Sequence, residues 1–380
     1  MKIERLSSEI DAKKYLKKLG VDGGGVDILA SKMKHYLISI KALAVGGANI
    51  LKQDALSVGA DLAVPRGTVI ASTPYVDCLL IASQKQLRIL SKKELSQPFG
   101  LKELAVRLGE ISKVKISSDV EIMGVINAND DSFFSGSRFK DIDAIKKIQQ
   151  MVEDGAKIID IGGVSSRPNA IVVSVEDELS RLRPILKAIK NEKLYDSVKF
   201  SIDSCEPKVI SEALACGFEI VNDITGLQND EVCRVCAEFG ATAIIMHMQG
   251  TPQTMQDDPT YNDILDDVYN FFQTRVQKAE SFGIKDMVLD IGVGFGKTLD
   301  DNLTLIKHLE HFLTLSKPLL VGASRKSMID KISPSKVEDR LSGTLAIHLE
   351  ALRNGATYLR VHDVKEHAQA LNVYNSLKNI

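Results

Sequence analysis

Gly283-Ile-Lys-Asp-Met-Val-Leu-Asp290 states in eight residues a unit that the chain repeats. The glycine stands where a helical pattern ends, and glycine just past a helix supplies the left-handed cap. A short apolar run follows, as a buried strand requires. The run stops at a side chain capable of chemistry. The same order recurs around Gly155, with 157–161 and Asp160; around Gly217, with 218–221 and Asn222; around Gly240, with 243–246 and His247; and around Gly355, with 358–361 and His362.

Three more runs fit the strand half of the unit: 122–126 before Asn127, 198–202 before Asp203, and 319–323 before Ser324. That makes eight strands, each followed by a helical pattern. The span from 122 to 362 is close to the roughly 250 residues of a (β/α)8 barrel. The predicted fold class is therefore α/β, a TIM barrel with a smaller N-terminal α+β domain. In such a barrel chemistry gathers at the C-terminal ends of the strands. Asn127, Asp203, Asn222, Asp290, Ser324 and His362 are expected to face one mouth.

A chain of 380 residues accommodates two domains, expected at 1–116 and 117–380. The first carries a Gly23-Gly-Gly25 turn, helical patterns near 31–43 and 48–58, and strand-like runs at 62–64, 68–71 and 76–82. A helix is expected at 102–110 and a linker over 113–119. No chemical constellation stands out in it, and a packing or assembly role is expected. Basic and acidic residues nearly balance, 48 against 50, which leaves no nucleic-acid or membrane footprint. The first residues lack a signal-peptide apolar region, and no apolar run approaches the ~20 residues of a membrane span. A soluble, cytoplasmic protein is expected. Five cysteines, an odd count, argue against a disulfide framework. Cys233-Arg-Val-Cys236 lies in a helical stretch, where both thiols share one face; core packing is expected.

Several strand ends carry recognisable chemistry. Ile122-Met-Gly-Val-Ile-Asn-Ala-Asn-Asp-Asp-Ser-Phe133 ends a strand with amides, acids and a hydroxyl. Gly162-Gly-Val-Ser-Ser-Arg-Pro168 puts an arginine on a loop, suited to an anion. Asp203 and Asn222 place a carboxylate and an amide at neighbouring strand ends. Asp290 precedes the glycine-rich Gly292-Val-Gly-Phe-Gly-Lys297, which imitates a phosphate loop but lacks its first glycine at Ile291. Gly322-Ala-Ser-Arg-Lys326-Ser opens a helix, and Leu359-Arg-Val-His362-Asp ends the last strand. Asp160 reads equally as a packing or capping residue and is left outside the site. His247 reads equally as structural or catalytic. His308, His311 and His348 fall in helical patterns as solvated or packed residues.

Together these residues resemble the dihydropteroate synthase family, in order through all eight strands over about 121–375. Met246-His-Met-Gln-Gly-Thr-Pro252, Gly294-Phe-Gly-Lys297, Ser324-Arg-Lys-Ser327 and Arg360-Val-His-Asp-Val-Lys-Glu-His367 stand almost as the family writes them. The resemblance implies condensation of 6-hydroxymethyl-7,8-dihydropterin diphosphate with p-aminobenzoate, giving dihydropteroate and pyrophosphate for folate synthesis, with Mg2+ assisting. It implies Asp203, Asn222, Met246, Asp290 and Lys326 on the pterin, and Asn127, Arg360 and His362 on the diphosphate, with Asn127 also at the metal. It implies Ser166, Arg167, Pro168, Phe295 and Ser327 on p-aminobenzoate. It implies that Asp203, Asp290, Lys326 and Arg360 carry the catalysis. Sulfonamides are implied as inhibitors, and a homodimer as the assembly.

The chain departs from the family in the first loop, where Asn129 and Asp130 replace Thr and Pro and Ser135 stands for a later acid. Ser166 stands for Thr, and Ile291 for Pro. The competing readings are a pterin-binding methyltransferase domain, a Schiff-base aldolase using Lys326, and a pterin-binding subunit without turnover. Release of pyrophosphate separates the first reading from these.

Overall fold

A computed structural model describes residues 1, 3–4, 6–7, 10–114, 117, 119–128, 142–164 and 173–378. The chain divides into two compact units, Ile116–Tyr374 and Met1–Lys115, with Asn375–Ile380 grouped with the latter.

The first unit holds β1 (His35–Ala44), β2 (Asp61–Ala63) and β3 (Tyr75–Ser83) in an antiparallel sheet of order β1-β3-β2. β3 alternates, burying Val76, Cys78, Leu80 and Ala82. These pack in one core with Leu51, Ala55, Leu87, Leu90, Leu101 and Leu108 of the helices Val45–Ser57, Gln84–Lys93 and Leu101–Ile111.

Three local expectations change here. Residues 31–43 are not one helix, because His35–Ala44 is a strand. A bulge between Ile40 and Leu43, with Ala42 at φ 51°, turns both side chains into the core. That three-residue repeat imitates a helix face. Gly23-Gly-Gly25 opens a helix, Gly23–Met33, behind an Asp22 cap rather than making a turn. Residues 68–71 form a turn, since Thr68 hydrogen-bonds back to Pro65 while Val69 and Ile70 point to solvent.

The second unit is the barrel. Its strands are β4 (Glu121–Asn127), β5 (Ile158–Gly162), β6 (Lys199–Asp203), β7 (Ile220–Asp223), β8 (Thr242–Met246), β9 (Met287–Asp290), β10 (Leu319–Val321) and β11 (Tyr358–Val361). They pair in parallel in chain order, and β11 closes on β4. All five glycines that punctuate the sequence have positive φ, from 64° at Gly240 to 109° at Gly155.

The helices bury one stripe each. Val175–Glu192 presents Leu179, Leu182, Ile185, Leu186 and Ile189 to the core, the spacing of a 3.6-residue repeat. Cys233 and Cys236 are buried free thiols, as expected. Among the described residues no helix is long and apolar enough to cross a membrane.

Candidate active site

Alternation along the strands separates an apolar floor from a polar rim. Met123, Ile158, Ile220, Ile244, Val288 and Leu320 pack together inside the barrel, with Tyr358 against them. Side chains repeat a face every second residue. Two positions toward the C-terminal end, the inward residues are therefore Asp160, Asn222, Met246, Asp290 and Arg360, with Val125 on β4 and Gly322 just past β10. Asp203 ends β6 beside Asn222 in register.

Arg360 is the hub of this rim. Its Nε donates to Asp160 Oδ2 at 2.6 Å and its terminal nitrogen to Asp203 Oδ2 at 2.6 Å. Asn222 Nδ2 donates to the same Asp160 oxygen at 3.2 Å. Asp160, left outside the site by the sequence reading, is fully buried and pairs with the partly buried guanidinium. Arg360, expected on the diphosphate, is ion-paired here to Asp160 and Asp203. Burial pushes the Asp203 carboxyl up, and Asp160, Glu178 and Asp223 add to this against the pull of Arg360. Burial opposes the charge on Arg360, but Asp160 and Asp203 outweigh it and hold the guanidinium firmly protonated.

A second cluster joins β9 to β10. Asp290, 5% exposed, accepts from the Gly292 amide at 2.8 Å. Burial pushes its carboxyl up, and Lys326 pulls it back. The Lys326 ammonium donates to the Val293 carbonyl and lies 4.6 Å from the Phe295 ring centroid. Burial lowers Lys326 to about 8, opposed by Asp290. Arg325, with the left-handed φ of 57°, is clamped by both oxygens of Asp363 and by the Val337 and Glu338 carbonyls. That clamp overrides the steric preference against such backbone and holds the turn leading to Lys326.

Ser324 is bonded by both the amide and the Nδ1 of His362, at 3.2 and 3.0 Å. Behind it runs a directed chain. Ala323 N donates to His348 Nε2, so neutral His348 carries its proton on Nδ1 and donates to His367 Nε2. His367 must then donate from Nδ1 to the Asp363 carbonyl. Burial depresses both imidazoles below 6.5 in the fold. The unfolded chain therefore binds more protons on the acid side, and stability falls as pH drops below the ordinary histidine value. Between about pH 7.5 and 5 the intact chain should lose more Tm than a His348→Gln variant, which lacks one of these imidazoles. An equal Tm change in both would contradict the chain.

Asn127 ends β4, half-buried. Ser327 is exposed at the start of a six-residue helix, Ser327–Ile332. Ser166, Arg167 and Pro168 lie outside the described residues, as do Asn129, Asp130 and Ser135. His247 is 5% exposed, edge-on to Phe271 and beside Tyr261. Burial holds it neutral, as fits a packing residue. His308 and His311 are exposed, whereas His348 is buried in the chain above.

A family model described as "Pterin binding enzyme" matches residues 123–362. The dihydropteroate synthase of Escherichia coli is 42% identical over 259 residues, covering 67% of this chain and 91% of that protein. This chain belongs to the dihydropteroate synthase family. The "Bifunctional dihydropteroate synthase/dihydropteroate reductase" of Helicobacter pylori is 43% identical over 378 residues, covering all of this chain and 99% of that protein. Among solved structures, Yersinia pestis dihydropteroate synthase with a sulfonamide drug complex superposes with a TM-score of 0.66 at 36% identity. It covers 69% of this chain and 96% of that one. As a dihydropteroate synthase, the chain is a transferase of pterinylmethyl groups: it condenses the dihydropterin diphosphate with p-aminobenzoate in folate biosynthesis. The acids, amide and lysine at the mouth of this synthase are where sequence reasoning placed them. Sequence reasoning left Asp160 outside the site and gave Lys297 no role of its own; Asp160 is bonded from β7 and β11, and Lys297 bonds two carbonyls of its own loop and that of His247 after β8.

Proposed function

We propose that the rim grips the pterin along its edge and stabilises a cation-like transition state. The observation that carries this is Arg360 bridging Asp160 and Asp203 beside Asn222. Asp203, Asn222 and Asp290 accept from pterin N–H groups, Lys326 donates to a ring nitrogen or carbonyl, and Met246 packs alongside. Asp160 is acceptor-only when ionised and takes the Asn222 amide N–H, so the Asn222 oxygen turns to the ligand. As the methylene carbon–oxygen bond breaks, positive charge grows on that carbon, and Asp203 and Asp290 stabilise it. The amine of p-aminobenzoate then bonds to the carbon with its lone pair and releases a proton, while pyrophosphate departs. The electrophile is already cationic, so a strong general base is not needed. Phe295 and the 166–168 segment line the aminobenzoate, with its carboxylate toward Ser327. Asn127 and His362 serve the diphosphate.

Magnesium keeps several waters and binds through one or two protein oxygens plus substrate phosphates. The Asn127 amide oxygen at the end of β4 is a donor of that kind. No cluster of three or more His, Cys, Asp or Glu that could hold an ion on its own occurs among the described residues. The Asn127 oxygen fits a magnesium ion that arrives with the diphosphate. Bound there, it supplies counter-charge to the leaving group.

Purified protein with magnesium and both substrates should release pyrophosphate. Sulfonamides, which share the aniline and place an anionic sulfonyl where the carboxylate sits, should raise KM for p-aminobenzoate without lowering kcat. Inhibition indifferent to p-aminobenzoate concentration would rule out the pocket at Phe295 and Ser327.

A second reading concerns the first unit. The Escherichia coli synthase covers 67% of this chain, whereas the Helicobacter pylori protein named for two activities covers all of it. That difference favours a dihydropteroate reductase activity residing in residues 1–116. The step adds a hydride to C6 and a proton to N5 of the dihydropterin, and it needs a reduced nicotinamide or flavin as electron donor. Dihydropteroate-dependent oxidation of the donor, lost in a chain truncated before residue 117 that still releases pyrophosphate, is the expected result. An intact chain that oxidises no donor would refute this second reading.

A further inference from the structure

Lys297 is 2% exposed. Its Nζ donates to three backbone carbonyls, His247 at 3.1 Å, Gly292 at 3.0 Å and Phe295 at 2.9 Å. An ammonium has three donors, so this one is fully used without a carboxylate partner. The acceptors belong to two loops: His247 follows β8, and Gly292 and Phe295 follow β9. These loops meet backbone to backbone. A Cβ on Gly292 would stand 2.0 Å from the His247 carbonyl oxygen, and one on Gly296 would stand 2.6 Å from that of Gln249. Both glycines have positive φ, 62° and 60°. Side chains cannot cross-link the seam from those positions. The Lys297 ammonium bonds across it.

The same β9 loop presents its other groups to the chemistry. The Val293 carbonyl accepts from Lys326, and the Phe295 ring lies beside that ammonium. Tyr261 and Gln256 add further ties, the Tyr261 hydroxyl donating to the Gly296 carbonyl at 2.5 Å and Gln256 Nε2 to the Gly294 carbonyl at 2.9 Å. Without the Lys297 ammonium, three convergent carbonyls would lose their shared donor in a buried place. Each would then repel its neighbours or draw in water. The loop would move, and Phe295 with it.

We infer that Lys297 is a positioning residue for the condensation: it binds the β9 loop to the β8 loop and so sets where Phe295 meets p-aminobenzoate. The inference rests on the proposed pocket at Phe295. Lys297→Met keeps the chain length and removes all three donors. A displacement of about 1 Å in a positioning group can cost about 10²-fold, and kcat/KM for p-aminobenzoate is expected to fall by that order, mainly through KM. The pterin retains its partners on β6, β7 and β9, so its Kd by calorimetry should stay within about threefold, under 1 kcal/mol. Lys297→Gln keeps two donors and should fall between the two; it also serves if the Met variant does not fold.

A folded variant with unchanged KM for p-aminobenzoate overturns the inference. So does equal weakening of both substrates, the signature of general loosening. Phe295→Ala is the control for the pocket itself. If that variant leaves KM for p-aminobenzoate unchanged, the pocket reading fails, and the Lys297 result no longer bears on it.

Discussion

Arg360→Ala is expected to lower kcat/KM by about 10²–10³-fold, the usual loss for a preorganised electrostatic partner. Binding should weaken for the diphosphate ester and for bare hydroxymethylpterin alike. The guanidinium sits between Asp160 and Asp203, 2.6 Å from each. Removing it leaves two carboxylates in a buried place with no cation between them. Breaking one side of a buried pair typically costs about 3–5 kcal/mol, because the remaining charge is uncompensated. The Asp203 carboxyl, already raised by burial, would rise further and take up a proton. A protonated Asp203 no longer accepts from the pterin at both oxygens. Calorimetry on the two ligands, with a melt to register the drop in Tm, decides it. If bare pterin binds normally, Arg360 acts on the anion alone.

Asp203→Asn should be just as damaging to turnover and far milder to the fold. The amide keeps the shape of the side chain and an oxygen for Arg360, so Tm should change little. The charge that faces the developing cation is gone, and kcat should fall by about 10²–10³-fold. The pH profile adds a signature. Only the ionised carboxylate stabilises the cation, and its protonation constant is raised. Activity of the unaltered enzyme should therefore decline on the acid side at a pH well above the 3.8 of an ordinary aspartate. That limb should vanish from the residual activity of Asp203→Asn. Full turnover in this variant would remove Asp203 from the cation side.

The barrel was legible because its signals are local. A positive-φ glycine, a short apolar run and a polar end lie within about ten residues, and period-two alternation says which side chain turns inward. Asp203, Asn222 and Asp290 could be read in this way. Asp160 could not, because its meaning is its bond to Arg360, 200 residues away. Lys297 was hidden by the acceptors it uses. They are backbone carbonyls, which no residue type announces. In the first unit, Ile40 and Leu43 misled for the opposite reason. Their local spacing is helical, and only pairing with β3 across the bulge makes them a strand.

The seam between the β8 and β9 loops also bears on heritable escape from inhibitors. A compound that rests on an exposed side chain can be evaded by changing that side chain, and exposed Ser327 is open to such change. A compound that hydrogen-bonds the main chain around Gly292 and Gly296 presents the organism with a harder problem. Any side chain at those two positions collides with the backbone of the facing loop. The mutations that would unseat such a compound are the ones that would also pull the active site apart.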